Sequence, residues 1–469
     1  MIENSIAYSI LRKIGCYFMS SLEDSRLLQR FLTDGQSEEY VASSTVFRFY
    51  NFIRRMFLTL FAILKLDKLF YGSIFKVNFF WMLITVILSP FAPTMVVILM
   101  SVAGFLSMGL KACCEKNFEL KYNSINKYIY IYAMIYGFSI LTSVNLKASL
   151  FGGIVTICFV IFSIVVINSI KTKEQVTIIN FLLVFGGVVV SLYGFYQYLN
   201  PSNFGGSWVD QEMFDGMFRV YSTFQNPNVL GAYFLLIIPL GVACFFLAKH
   251  LLLKLFYLGC VGLMMLCLVL TYSRGCYLGI MVAAAIFAVL MDRRFIVLGV
   301  IVLIMLPFVL PETILNRFLS IGNMEDSSTS YRVYIWMGTI AMLKDYWFSG
   351  IGPGEGAYNI VYPVYAYSGI GAPHSHNTFL QVMCDTGIIG ILIFVCILWQ
   401  YYKRLFISYV NSTDRTERIL TISGISTMSG FLVQSLFDYT FYNYRVMLLF
   451  WVFVGLGMVY SRYSELKGA

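Results

Sequence analysis

Polar residues in this chain are mostly confined to gaps between long apolar runs. Such runs, roughly 15–23 residues each, predict helices that cross a bilayer. The pattern predicts twelve spans, near 79–91, 94–110, 128–144, 149–170, 177–199, 227–248, 255–271, 276–291, 295–311, 380–402, 419–437 and 445–460. The first two are short and interrupted by Pro90 and Pro93, so one re-entrant hairpin is the alternative. The longest polar interruption runs from about 312 to 379. Within it Trp336, Ile340, Leu343 and Trp347 recur at helical spacing, which predicts an amphipathic helix along the membrane. Gly350-Ile351-Gly352-Pro353-Gly354 then predicts a helix stop and a tight turn, not a nucleotide loop, since a helix precedes it.

Composition agrees with the pattern. Of 469 residues 59% are hydrophobic and only 12% are charged, about half the charge of a soluble chain. The expected fold is therefore an all-α polytopic membrane protein. Four segments follow: an interfacial or cytoplasmic arm at 1–78, helices at 79–199, a core at 200–402 holding the long loop, and closing helices at 403–469. The arm is too long and too charged for a signal peptide. It reads as surface-lying helices or as a docking arm for a partner.

Charge sets the orientation. With the N-terminus inside, ten basic residues lie in the first 78 and sixteen in the inner segments, leaving seven of the 33 outside. That bias predicts N-in and C-in topology, with the long loop extracytoplasmic. The net charge of +9 then reflects orientation and anionic lipid, not nucleic acid. Ten scattered cysteines with no Cys-x-x-Cys argue against structural disulfides and zinc.

The seven outer cations carry candidate chemistry. Arg274 sits in the tight hairpin Tyr272-Ser273-Arg274-Gly275, at headgroup depth, where a guanidinium fits phosphate oxygens. Snorkelling to lipid is the plainer reading. Arg219 opens a second cluster that runs to Asn226-Pro227-Asn228, and Arg332 lies on the loop helix. Two of the three histidines fall in Pro373-His374-Ser375-His376-Asn377, nine residues before Gly387-Ile388-Ile389-Gly390. The glycine pair reads as close helix packing. A helix N-terminus favours a neutral imidazole, the form a general base needs. His-x-His also suits two metal ligands, with Glu355 or Asp345 the acids that could fold back. No third ligand lies nearby in sequence, and no metal or cofactor is expected.

These residues resemble the O-antigen ligase and polymerase family of bacterial membrane enzymes. The likeness rests on His376-Asn377 with Gly387-x-x-Gly390, on the stretch from Arg219 to Asn228, on Ser273-Arg274-Gly275, and on Arg332, Trp336 and Gly350-x-Gly352-Pro353-Gly354, in that family's order. It covers roughly 200–400. It implies transfer of a glycan from undecaprenyl diphosphate to an acceptor hydroxyl, outside the cytoplasmic membrane. His376 would be the base. Arg219, Arg274 and Arg332 would hold the diphosphate, and His374 and Asn377 would contact substrate or support the base. Lipids, a glycan donor and a glycan, lipid or protein acceptor are the implied partners, with other proteins of the same polysaccharide pathway. A transporter or flippase of a lipid-linked or charged solute is the alternative. It would place ionisable groups at mid-membrane, where Asp385 is the clearest.

Overall fold

A computed structural model of the chain describes residues 45–65, 77–115, 120–121, 123–204, 218–292, 294–295 and 327–468, with isolated positions between 299 and 315. Most of the 1–78 arm and of the expected span at 295–311 lies outside the described residues. The chain divides into two compact units, residues 1–68 with 112–118, and residues 69–111 with 119–469. In the first, helix α1 (Thr45–Ile63) is held by Arg54, which donates to the carbonyls of Ala112 and Glu115 at 2.9 Å.

Among its described residues the second unit is built of helices joined by loops. It holds α2 (Val77–Leu88), α3 (Thr94–Cys114, shared with the first unit), α4 (Ser124–Leu141), α5 (Leu146–Ser169) and α6 (Lys173–Leu199). Then come α7 (Pro227–Leu247), α8 (Leu251–Val269), α9 (Arg274–Met291), α10 (Ser327–Tyr346) and α11 (Glu355–Val361). The last are α12 (Thr378–Asn411), α13 (Arg415–Ser435) and α14 (Tyr444–Tyr460). Among the described residues seven helices are long and apolar enough to cross a membrane: α3, α5, α6, α7, α8, α9 and α12. Two shorter apolar helices match α2 and α14. Pro90 and Pro93 separate α2 from α3 as two distinct helices.

Burial explains why some expected spans are short or polar. The residues of α14 from Val446 to Tyr460 are all buried, so this helix is a core rod wrapped by others. Trp451 packs on Tyr132 with ring centroids 5.8 Å apart. By contrast α8 turns Leu252, Leu255, Leu258 and Leu266 outward, as a helix facing lipid does. The helices α9 and α13 meet backbone to backbone at Gly279 and Gly430. A Cβ on Gly279 would lie 2.6 Å from the Gly430 carbonyl, and one on Gly430 2.8 Å from the Gly279 carbonyl. Side chains would hold the helices apart; glycines let them touch. This contact brings the start of α9 beside the end of α13.

Two stretches of spaced residues pack in ways their spacing does not show. On α10 Ile335, Thr339, Met342 and Leu343 are buried, while Ile340 and, just past its end, Trp347 are exposed. The helix packs on α11 and on the loop after it through the first set, so this contact does not cover the whole predicted stripe, and Ile340 and Trp347 remain as outward apolar positions. The Gly387-x-x-Gly390 pair is not a helix-packing motif either. Gly387 has φ 67° and ψ −169°, and breaks α12. A Cβ there would collide with the Phe348 carbonyl. The break frees backbone groups, and the glycine turn takes them up: Ile351 N donates to Cys384 O at 2.7 Å, and Ile388 N to Trp347 O at 2.8 Å. Gly350, at φ 67°, closes the same contact, since a Cβ there would meet Cys384 O at 2.5 Å. The expected tight turn is present, and it clamps the long loop into the kinked helix.

Candidate functional site

The site forms where four segments meet: the His374–Asn377 loop before α12, the loop between α13 and α14, the start of α7 with its preceding strand-like stretch, and α10. Asn377 caps α12, its side-chain oxygen accepting from Phe379 N and Leu380 N at 2.9 and 3.0 Å. Its Nδ2 donates to Leu436 O at 2.9 Å, which ties the loop to the end of α13. Ser375 Oγ donates to Asn377 O at 2.8 Å. Between them His376 takes φ 48°, a left-handed conformation uncommon for a residue with a side chain. Trp336 Nε1 donates to its carbonyl at 3.3 Å.

This backbone aims the His376 ring at Asp438. Nδ1 lies 2.9 Å from Asp438 Oδ1. The carboxylate is almost wholly buried. Burial alone would raise its pKa, but the His376 hydrogen bond and the nearby charges of His376, Arg332 and His374 hold it well below the usual carboxylate range. An ionised Asp438 accepts the Nδ1 proton, which leaves Nε2 of a neutral His376 with its lone pair. Asp438 Oδ2 in turn accepts from Asn228 Nδ2 at 2.8 Å. Asn228 Oδ1 accepts from Arg219 Nη2 at 2.9 Å, and Arg219 Nε donates to Thr271 O at 2.7 Å. A chain of directed hydrogen bonds thus runs from Arg219 through Asn228 and Asp438 to His376.

His374 has a different role in this geometry. It is buried and stacks on Tyr442 with centroids 5.0 Å apart and 16° between planes. Its Nδ1 accepts from His376 N at 3.3 Å. Burial first, then the charges of His376 and Arg332, push its pKa down to about 3, against a smaller upward pull from Asp438. It is a neutral strut under the His376 backbone.

The expected arginines stand in different relations to the site. Arg332 lies one turn before Trp336 on α10, and its charge is felt at Asp438 and His374. Arg274 is the first residue of α9. The next residue, Gly275, faces Phe437 and Gln434, whose side chains lie 3.6 and 3.8 Å from where its Cβ would be. The helix end carrying Arg274 therefore abuts the segment carrying Asp438. Arg445, outside this group, donates to Thr223 O at 2.9 Å and to Pro90 O at 3.4 Å, so it is a structural clamp and not an inert outer cation.

Asp438 was not singled out from the sequence, and Asn228 was named only as the end of the Arg219 stretch, with no role of its own. The only signal for Asp438 is an acid in the short polar gap between two apolar runs. Nothing in spacing links it to a histidine 62 residues earlier. His374, His376 and Asp438 also offer ligand atoms within 4.8 Å of one another, so the third ligand of a cation would be Asp438, not Glu355 or Asp345. A cation bound there would replace the hydrogen bond between His376 and Asp438.

One comparison bears on this arrangement. Residues 259–395 match the family model described as O-antigen ligase. The match supports the O-antigen ligase and polymerase family, as the resemblance of the motifs implied. Arg274, Arg332, His374, His376 and Asn377 fall within the O-antigen ligase match; Arg219, Asn228 and Asp438 flank it in sequence and join it in space. No curated protein matches the chain. At the level of the O-antigen ligase family, the chemistry is glycosyl transfer in a membrane.

Proposed function

We propose that the protein moves an oligo- or polysaccharide from undecaprenyl diphosphate to an acceptor hydroxyl, on the outer face of the bacterial cytoplasmic membrane. The observation that carries this reading is the His376–Asp438 pair, tied through Asn228 to Arg219 and near the charge of Arg332, within and beside an O-antigen ligase match. His376 Nε2 takes the proton of the acceptor hydroxyl as its oxygen bonds to the anomeric carbon. The bond from that carbon to the diphosphate breaks with inversion, and undecaprenyl diphosphate leaves. Asp438 balances the imidazolium that forms. The arginines balance the charge that grows on the departing diphosphate, where the surrounding apolar helices strengthen each interaction. On this reading the reaction needs no cofactor and no metal.

The transporter reading has less to support it. Asp385, the mid-span acid that favoured it, is enclosed by Gln381, Tyr136 and Ser139. The test of the proposal is His376→Ala in a strain lacking the chromosomal copy. The variant should reach the membrane in normal amount, make no transferred glycan and accumulate the lipid-linked donor. Normal surface polysaccharide from that strain would remove the catalytic assignment.

A further inference from the structure

Asp385 is a buried carboxylate that the transfer chemistry does not use. It lies on α12 two residues before the Gly387 break. Its Oδ1 accepts from Gln381 Nε2 at 2.9 Å and its Oδ2 from Tyr136 OH at 3.4 Å. Ser139 Oγ donates to its main-chain carbonyl. The other end of the Gln381 amide points at the histidine loop, where Oε1 accepts from Ser375 N at 2.9 Å. Gln381, Asp385 and Ser375 are all at most 3% exposed, so no water is at hand to replace a lost partner.

The order of donors and acceptors in this line is forced. Ser375 N–H can only donate, so it needs an oxygen opposite. With the amide carbonyl taken by Ser375, the Gln381 NH2 is left to face Asp385 Oδ1. Gln381 satisfies both in one orientation only, carbonyl to Ser375 and NH2 to Asp385. Ser375 is the residue before His376, and its N–H belongs to the peptide that joins His374 to Ser375, one residue ahead of the left-handed turn at His376.

Resting on the reading of His376 as the base, we infer that Gln381 and Asp385 are positioning residues that lock the Ser375 peptide and so hold the His376 ring against Asp438. Neither touches substrate. Asp385 acts by accepting from the Gln381 NH2, which holds the amide in the orientation that Ser375 N–H requires. Tyr136 and Ser139 of α4 hold Asp385 in turn, which makes α4 part of the support of the site.

The test exchanges the two polar groups. Gln381→Glu keeps an oxygen for Ser375 N–H but sets two carboxylates face to face. The double variant Gln381→Glu/Asp385→Asn restores each hydrogen bond with the amide and carboxylate traded. Membranes of a deletion strain, which hold the host's own lipid-linked glycan, supply the donor. The single variant should lower kcat by about a hundredfold with donor KM little changed, and the double should recover to within about threefold of wild type. A Gln381→Glu rate within about threefold of wild type, or a double variant no faster than the single, overturns the inference. If Gln381→Glu does not reach the membrane, Gln381→Met is used. It is uncharged and similar in length, and it should lose rate because Ser375 N–H has no acceptor. His376→Ala run alongside separates the layers. If it is inactive while Gln381→Glu is normal, only the positioning role falls; if it is active, the base assignment falls and takes this inference with it.

Discussion

Replacing Asp438 by Asn changes one atom and should cost most of the activity. The reason lies in the direction of the hydrogen-bond chain. Arg219 Nη2 donates to Asn228 Oδ1, which obliges Asn228 to present its Nδ2 toward position 438 at 2.8 Å. An asparagine at 438 that answers with its oxygen turns its own NH2 to His376 Nδ1 at the present 2.9 Å and to Tyr439 N–H, which donates to the same oxygen of Asp438, while the opposite orientation sets two NH2 groups against each other at Asn228. In the first orientation His376 Nδ1 becomes an acceptor, the ring proton moves to Nε2, and the lone pair needed for base catalysis is gone. The charge is lost as well. An imidazolium and a carboxylate with charge centres about 4 Å apart attract by about 4 kcal/mol at an effective dielectric of 20, roughly a thousandfold in rate. Asp438→Asn should therefore lower kcat by about three orders of magnitude, with little change in donor KM. Initial transfer rates in membranes preloaded with donor measure this, with the amount and melting temperature of the purified variant checked beside them. Adding Asn228→Asp lets position 438 donate to position 228 and turn its oxygen back to His376, so part of the rate should return. An Asp438→Asn rate above about a tenth of wild type would refute the tautomer argument.

Arg274→Lys should lose about 1.5–3 kcal/mol of transition-state stabilisation, or roughly ten- to a hundredfold in rate, since a lysine keeps the charge but not the fork. Arg219→Lys should lose at least as much because it also lets go of Thr271 O and Asn228, and the double variant should fall short of the sum; two unimpaired single variants would remove the diphosphate clamp. His374 resists protonation in the folded site but not in the unfolded chain. Stability is thus complete above its ordinary value of 6.5 and falls by about 1.4 kcal/mol per pH unit below it, until about pH 3. Melting temperatures of wild type and His374→Asn from pH 7.5 to 4.5 check this, the variant being expected to show a shallower acid slope and an equal slope counting against it. Gly387→Ala should destabilise by about 1–3 kcal/mol from its backbone conformation alone, with more from the clash at Phe348 O; an unchanged melting temperature would mean that the kink relaxes freely.

In the sequence Arg445 is one of the seven outer cations and lies beyond the family-like motifs, so a lysine there would be expected to be silent. Its bonds to Thr223 and Pro90 make it a stability variant instead. The difference between the two views of Arg445 is general to this protein. What the sequence determined is what depends on local composition: the membrane class, most helix positions, the glycine turn and the short list of His374, His376 and the outer arginines. Apolar length is read residue by residue, because each backbone group in lipid must be satisfied within its own helix. Even there, α14 is apolar because it is enclosed by protein, which composition cannot tell from exposure to lipid. The tertiary structure alone decided which acid meets His376, since Asp438 and Asn228 reach it only when the ends of α7, α9 and α13 converge, and α9 and α13 meet only because Gly279 and Gly430 let two backbones touch. It also decided that Gly387 serves a break and not a packing seam, because a φ of 67° and a carbonyl lodged beside it are properties of the folded contact and not of the Gly-x-x-Gly spacing.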